Sequence, residues 1–200
     1  MNLALAGLAS YLLGGVPTSF LAAKYLAGVD LRQHGSGNLG ATNLYRVLGG
    51  KYAYPVALLD VLKGLVPAVF FARWVGGPIW VPLTLGACAV VGHVFPIYMG
   101  FKGGKGVATA GGVVLGIAPL PAIVSVAIWA AVLVTTRIMS LASMVGAVAF
   151  PVAVAVLAPG KVPLLLVGSV LAAFIVFTHR SNIRRLLQGT EPRLSRNQEA

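Results

Sequence analysis

Acidic residues are scarce in this 200-residue chain, which carries Asp30, Asp60, Glu191 and Glu199 against 15 Lys and Arg. Charged residues make up 10% and apolar residues 58%, whereas a soluble domain has roughly 25% and 45–50%. Because so little polar surface cannot coat a globule, lipid must surround most of the chain. The length predicts one membrane domain over residues 1–200, without room for a separate soluble catalytic module.

Cysteine is nearly absent as well, since Cys88 stands alone in an apolar run, which excludes a disulfide framework and a cysteine metal cluster. The sequence has no close pair of carboxylates, no ligand-like spacing of its histidines and no nucleophile elbow. These absences predict a chemistry without metal or cofactor that relies on positioning and charge neutralisation. The N-terminus lacks a basic n-region, so the first apolar stretch is expected to be a retained helix.

Long apolar runs are abundant, and about 20 apolar residues are enough to span a bilayer. The clear candidates lie at residues 2–24, 52–73, 78–99, 141–158 and 162–178. A further run, 107–134, is interrupted by Pro119 and Pro121, and proline breaks helices. This run is expected to be either one long helix or two short helices joined by a proline turn.

The distribution of Lys and Arg decides between these alternatives, because cytoplasmic loops of membrane proteins collect positive charge. Seven spans with the N-terminus outside put 12 Lys and Arg inside and 2 outside, whereas six spans put 7 on each side. The sequence therefore predicts an all-α membrane protein with seven transmembrane helices. Its C-terminus is expected to be cytoplasmic, as a polar tail after about residue 190.

With that topology, most unusual polar residues lie on the cytoplasmic side, in the segments GSGNLGATNLYR (35–46), GHVFPIYMGFKGGKGVAT (92–109) and THRSNIRRLLQGTE (178–191). In the first segment, glycines permit turns that point successive N–H groups into one concavity. Arg46 adds a fork of donors that fits phosphate. The alternative is an interfacial loop rich in turn formers, whose arginine meets lipid head groups.

The second segment places Lys102 and Lys105 in a glycine frame, directly before the apolar helix expected from Val107. Backbone amides and the positive end of a helix would attract phosphate there. The spacing differs from that of a Walker A loop. The alternative is a positively charged turn between two helices.

The third segment sets His179 and Asn182 three residues apart, on one helix face. Glu191 is expected to pair structurally with an arginine of the tail or of the first loop, and a general-base role is the alternative. Other faces of the segment are expected to meet anionic lipid through Arg180, Arg184 and Arg185.

Two further polar features lie outside these assignments. Asp60 and Lys63 are three residues apart within a span and predict a buried ion pair, because intramembrane charge is expensive. His93 is expected to be either a hydrogen-bonded packing residue or a catalytic one. His34 is expected to be a loop residue without a chemical role.

Together, in order and spacing, the three segments resemble the bacterial acyl-phosphate:glycerol-3-phosphate acyltransferases over essentially the whole chain. The resemblance implies acyl transfer from acyl phosphate to the 1-hydroxyl of glycerol-3-phosphate, the first step of phospholipid synthesis. It also implies seven spans in the bacterial inner membrane, with one active site on the cytoplasmic side. The expected partners are glycerol-3-phosphate, acyl phosphate and membrane lipid. No nucleic acid, metal or cofactor is expected.

By matching positions, the resemblance assigns substrate phosphate to Ser36 and Arg46. The phosphate seat would comprise Gly103, Gly104, Lys105 and Gly106. The rest of the polar site would comprise Ser143, His179 and Asn182. Catalytic parts would fall to His179, Asn182 and Ser36. Glu191 would support the structure of the site.

The base that takes the hydroxyl proton stays open between His179 and a phosphate oxygen of the substrate. A neutral imidazole suits the first role, since an unperturbed histidine has a pKa of about 6.5. The absence of a dedicated His–carboxylate relay favours the second, substrate-assisted route.

Three other functions compete with acyl transfer. A transporter of a phosphorylated small molecule would suit basic residues at a pore mouth, but the polar residues crowd one side and no inverted repeat is visible. A metal-dependent membrane transferase would need acidic motifs, which Asp30 and Asp60 do not form. A purely structural subunit would not need the polar clustering.

Overall fold

The structure is a computed structural model that describes residues 2–194. Within that range the regular elements are all helices, which confirms the all-α prediction. The predicted polar tail falls largely outside the described residues. The chain divides into two compact units, one of which ends at Ile117 while the other begins at Ala118.

The first unit starts with α1 (Leu3–Gly15), α2 (Thr18–Ala27) and α3 (Ala41–Leu48). The next helix, α4 (Gly50–Val66), continues through a π-helical turn (Pro67–Phe71) into α5 (Ala72–Val75). The unit ends with α6 (Trp80–Val94) and α7 (Val107–Ile117). Short 3₁₀ turns lie at Leu31–Gln33 and Ile97–Met99.

The second unit comprises α8 (Pro119–Thr136), α9 (Met139–Leu157), α10 (Val162–Thr178) and α11 (Arg180–Leu187). The run 107–134 is therefore two helices, as one of the two alternatives predicted. Helix α7 ends at Ile117, and Pro119 opens α8, where the first turn tolerates a residue without an N–H.

Five stretches of the described chain are long and apolar enough to cross a membrane: Leu3–Ala27, Gly50–Val75, Trp80–Met99, Pro119–Thr136 and Met139–Leu157. The pair α10 and α11, bent by 60°, supplies a sixth if it counts as one span. Helix α7, with 11 residues, is about 17 Å long, short of a hydrocarbon core of about 30 Å. A seventh span would have to be this helix.

The first predicted span, 2–24, is confirmed as a stretch long and apolar enough to cross a membrane, but it consists of two helices, α1 and α2, that meet at Val16 and Pro17. Proline cannot donate a hydrogen bond, and its ring clashes with the preceding turn. The break exposes backbone carbonyls inside a span, where water is scarce. The carbonyl of Val16 accepts from the Thr18 N–H at 2.9 Å and from the Lys63 ammonium at 2.8 Å.

Helices α4 and α7 touch backbone to backbone at two glycines. A Cβ built on Gly64 would overlap a carbonyl of α7, and one on Gly112 would overlap a carbonyl of α4. Small residues of this kind allow membrane helices to approach closely. The contact packs α7, which the glycine-rich segment precedes, against the helix that carries Asp60 and Lys63.

Candidate functional site

Asn43 shapes the first polar segment. Its Oδ1 accepts the Ser36 N–H at 2.8 Å, and its Nδ2 donates to the carbonyls of His34 (3.0 Å) and Leu31 (3.3 Å). Gly35 adopts φ of +61°, and a Cβ there would overlap the Asn43 amide. Asn43 is 2% exposed. No sequence pattern points to this role of Asn43, because its partners are backbone atoms.

The first and second segments meet within the first unit. Asn38 Nδ2 donates to the carbonyl of Gly103 at 3.4 Å, which links the two loops. Ser36 is exposed on the loop, and Arg46 is partly buried in the last turn of α3. Ser36, Arg46 and the glycine-rich loop (residues 103–106) thus belong to one compact unit.

The glycine-rich loop uses its first two amides internally. The N–H groups of Gly103 and Gly104 donate to two carbonyls at the end of α6, at 3.1 Å each. This corrects the expectation that these amides face phosphate. The first N–H groups of α7 have no acceptor within the helix and carry its positive end, with Lys105 just before them.

A buried polar cluster lies beneath this loop, and it confirms the predicted ion pair. Lys63 Nζ is 2.7 Å from Asp60 Oδ1, and their side chains are 6% and 2% exposed. Thr18 donates to Asp60 at 2.6 Å, and Lys63 donates to the carbonyl of Val16 at 2.8 Å. The Nδ1 atom of His93 is 3.5 Å from Lys63 Nζ and 3.9 Å from Asp60 Oδ1.

The second unit is organised by the carboxylate of Glu191. Its Oε1 accepts from Ser140 Oγ at 2.7 Å and from Asn182 Nδ2 at 2.6 Å, while Oε2 accepts from Arg185 Nε at 2.7 Å. The arginine that pairs with Glu191 thus comes from α11, not from the tail or the first loop. Arg185 is thus tied to Glu191, a pairing that the sequence did not predict for it.

These contacts set the protonation of Glu191. Burial alone would raise its pKa, but hydrogen bonds from Asn182, Ser140 and Arg185 outweigh that effect and lower the pKa below the ordinary value. The group is therefore an anion at neutral pH and an acceptor for all three donors. This geometry suits structural support, although the role of Glu191 stays a prediction.

His179 lies between α10 and α11 and is 3% exposed. Its Nδ1 lies 2.8 Å from the carbonyl of Ile175. Because a carbonyl can only accept, Nδ1 carries the proton and Nε2 of the neutral ring is an acceptor. On α9, Ser143 Oγ donates to the carbonyl of Met139 at 2.8 Å.

An apolar groove of about 660 Å³ runs along α9 between residues of α8 and α10. Its walls include Met144, next to Ser143, and Val176, three residues before His179. From Met144 it extends to Leu157, a distance of about 20 Å along a helix. The groove thus begins close in sequence to the polar residues of this unit.

The predicted site residues fall into two sets. The first unit contains Ser36, Arg46, Gly103, Gly104, Lys105 and Gly106. The second contains Ser143, His179, Asn182 and Glu191. Among residues 2–194, no three His, Cys, Asp or Glu side chains form a group that could hold a metal ion.

These features define a multi-pass, all-helical membrane protein whose polar loops hold Ser36, Arg46 and a glycine-rich turn with Lys105. The family model described as glycerol-3-phosphate acyltransferase matches residues 4–189. The chain belongs to the glycerol-3-phosphate acyltransferase family.

Known relatives agree in sequence and in structure. A glycerol-3-phosphate acyltransferase of Geotalea daltonii is 49% identical, over 91% of this chain and 92% of the relative. The crystal structure of an integral membrane glycerol 3-phosphate acyltransferase in its glycerol 3-phosphate form matches with a TM-score of 0.89 and 41% identity, over 96% of each chain. Its lysophosphatidic acid form matches with a TM-score of 0.88 and 40% identity, over 96% of this chain and 95% of that one.

Replacing Glu191 by glutamine should weaken the fold in a pH-dependent way. The lowered pKa means that the carboxylate stabilises the protein above the ordinary value of 4.5 and loses this effect as pH falls through the folded-state pKa. At pH 7, Glu191→Gln should cost about 1–3 kcal/mol, since hydrogen bonds to a charged group are lost. Thermal unfolding in detergent from pH 7 to pH 3 measures the difference.

Asp30→Asn is the matched control. Hydrogen bonding to Arg32 lowers the pKa of Asp30 to about 2, but the pair is exposed, and exposed pairs contribute little. The difference in unfolding temperature between the wild type and Glu191→Gln should become smaller below pH 4.5. The unfolding temperature of Asp30→Asn should stay close to that of the wild type at every pH. A difference in unfolding temperature that stays constant from pH 7 to pH 3 would contradict the role of the Glu191 charge.

Proposed function

We propose that the protein transfers an acyl group to the 1-hydroxyl of glycerol-3-phosphate and forms lysophosphatidic acid, the first step of phospholipid synthesis. Family membership over residues 4–189 carries this conclusion. The similarity to an acyltransferase in its glycerol 3-phosphate form supports the acceptor. The hydrogen bond from Asn38 to the carbonyl of Gly103 joins the first polar segment to the glycine-rich loop, which supports a single phosphate-binding face on the first unit.

The acyl donor is acyl phosphate. Its phosphate is a good leaving group, so the enzyme mainly has to hold two anions together and offset their repulsion. Orientation of this kind contributes roughly 7–11 kcal/mol to lowering a barrier. A chain with four acids and a cluster of Arg46, Lys102 and Lys105 in its polar loops suits two phosphates.

The first unit binds phosphate through charge and through the start of α7. Arg46 and Lys105 supply positive charge, and Ser36 supplies a hydroxyl on the exposed loop. Since the amides of Gly103 and Gly104 are already hydrogen-bonded, these glycines contribute by lacking a side chain. Gly106, with φ of +80°, turns the chain into α7.

The reaction needs one bond to form and one to break. The hydroxyl oxygen attacks the acyl carbonyl carbon, the carbon–oxygen bond to phosphate breaks, and the hydroxyl proton ends on the released phosphate. His179 Nε2 accepts a hydrogen bond from the hydroxyl, and Ser143 and Asn182 complete the polar surroundings. The proton reaches phosphate either directly or through His179.

His179→Gln separates these two routes. The amide group keeps a polar side chain but cannot take a proton at neutral pH. If a substrate phosphate is the base, kcat should fall by less than about tenfold; loss of a general base costs about 10²–10⁴-fold. Steady-state kinetics of the purified variant, with Arg180→Gln as a neighbouring control, make the measurement. A loss of 10²-fold or more with folding intact would make His179 the base.

The donor is tested with purified protein, labelled glycerol-3-phosphate, and either acyl phosphate or acyl-CoA of the same chain length. Labelled lysophosphatidic acid is expected from acyl phosphate alone. Product from acyl-CoA alone would contradict the proposed donor. Uptake of label into proteoliposomes without lipid product would indicate a transporter, and loss of activity with EDTA would indicate a metal-dependent transferase.

The acyl chain occupies the apolar groove along α9, with its carbonyl at the end nearest Ser143. In the same assay, Ala149→Phe would fill the middle of the groove. The rate with long-chain acyl phosphates should then fall more than the rate with short-chain ones. Equal effects on both would contradict this placement.

The chain crosses the bacterial inner membrane seven times, as one domain with the N-terminus outside and the active site and C-terminus on the cytoplasmic side. Helix α7 is the short fourth span, since 12 Lys and Arg then lie inside and 2 outside.

In a Cys88→Ser background, a membrane-impermeant maleimide should label Lys161→Cys on intact cells. Gln188→Cys should react only after permeabilisation, and its labelling on intact cells would indicate six spans.

A further inference from the structure

We propose that His93 binds a substrate phosphate as a neutral hydrogen-bond donor, presenting Nε2–H beside the glycine-rich loop while Lys63 keeps the proton off Nδ1. The proposal deepens the proposed function and rests on it for the identity of the anion. Three properties of the first unit carry it: a fixed tautomer, an Nε2 atom aimed at the loop, and a ring that stays neutral.

The tautomer follows from the partners of Nδ1. The Lys63 ammonium lies 3.5 Å from Nδ1, at the outer limit of a hydrogen bond, and an ammonium can only donate. Asp60 Oδ1, which could accept from a protonated Nδ1, is 3.9 Å away, beyond hydrogen-bond distance. Lys63 shares its third N–H between Thr18 Oγ1 at 3.4 Å and His93 Nδ1, so Nδ1 faces only donors within hydrogen-bond distance and the ring proton is assigned to Nε2.

Nε2 faces the glycine-rich loop. A Cβ built on Gly104 would overlap Nε2, and one built on Gly103 would overlap the carbonyl of His93. Any residue other than glycine would therefore displace the imidazole or the loop. The loop that the sequence marks as a phosphate seat thus lies directly over the edge of the His93 ring.

A small cavity opens at the same place, with room for about one water molecule. Its walls include His93, Gly103, Gly104, Lys63 and Thr18. His93 is 8% exposed, and Nε2 has no hydrogen-bond partner among residues 2–194. Nε2 is not one of the fully buried unpaired atoms of the described chain, so its N–H is reachable from this cavity, where a ligand or a water can accept it.

The charge balance keeps the ring neutral. The charges of Asp60 and Lys63 cancel, and a protonated His93 would place two cations 3.5 Å apart in a medium of low dielectric constant. Arg46 and Lys105 then supply the positive charge for phosphate, and the Nε2–H of His93 orients the bound phosphate. A phosphate oxygen accepts from Nε2–H in either ionisation state of the substrate.

The phosphate has two sources, glycerol-3-phosphate and acyl phosphate, and kinetics distinguish them. His93→Phe removes the donor but keeps a planar ring of similar size, whereas His93→Gln keeps an N–H close to the position of Nε2. The KM for the substrate whose phosphate contacts His93 should rise about ten- to hundredfold in His93→Phe, as expected when a charged acceptor loses one hydrogen bond. The other KM should change little, and His93→Gln should stay within a few-fold of the wild type.

A binding experiment tests the residue independently of turnover. Purified protein in detergent is titrated with inorganic phosphate, and binding is followed by calorimetry. The phosphate affinity should be highest for the wild type, slightly lower for His93→Gln and lowest for His93→Phe. His34→Phe, at an exposed loop histidine, is the matched control and should bind as the wild type does. Unchanged phosphate affinity in His93→Phe, or equal losses in His93→Phe and His93→Gln, would overturn the proposal.

The tautomer can be observed in the wild-type protein, so the test does not depend on a variant that folds. Nitrogen-15 spectra of the imidazoles, with His93 assigned by its absence from His93→Gln, should show an unprotonated Nδ1 and an Nε2–H signal that shifts on addition of phosphate. A protonated Nδ1, or no response to phosphate, would overturn the proposal. Phosphate binding through His93 in a protein that makes no lysophosphatidic acid would instead leave this proposal standing and remove the proposed function.

Discussion

The Lys63 ammonium is the contact on which the first unit depends. Inside a membrane, a backbone carbonyl released by a helix break has no water to bond, and an unpaired charge is expensive. Lys63 serves both groups, since it pairs with Asp60 and donates to the carbonyl of Val16, which also accepts from the Thr18 N–H. The same ammonium reaches His93, the residue beneath the glycine-rich loop. The break after α1, the Asp60–Lys63 ion pair and His93 beneath the glycine-rich loop are therefore connected through one ammonium group.

The two buried histidines are held in opposite tautomers by simple partners. An ammonium, which can only donate, faces Nδ1 of His93 and leaves the proton on Nε2. A carbonyl, which can only accept, faces Nδ1 of His179 and leaves Nε2 as an acceptor. The first ring is thus suited to bind an anion and the second to accept from a hydroxyl. In the proposed acyl transfer, the first ring would bind a substrate phosphate and the second would accept a hydrogen bond from the alcohol.

Sequence patterns predicted the features that local chemistry determines. Pro119 marked the break between α7 and α8, and the spacing of Asp60 and Lys63 marked an ion pair within one helix. Features that depend on distant backbone atoms were missed or misassigned. Pro17 lay inside a run apolar enough to pass as one helix, and Arg185 was grouped with Arg180 and Arg184 because its partner, Glu191, lies beyond a turn. Asn43 acts on loop carbonyls, which carry no sequence signal.

The glycine-rich loop illustrates why composition alone misplaces a binding role. Glycines next to lysines suggest amides that point at phosphate, yet the amides of Gly103 and Gly104 are used to fasten the loop to the end of α6. The missing side chains matter more, because they let the loop lie against the His93 ring. In our proposal, the donors for an anion are the first turn of α7, Lys105 and the histidine beneath the loop. A histidine that sequence analysis could not assign becomes intelligible only once the glycines are understood as space for it.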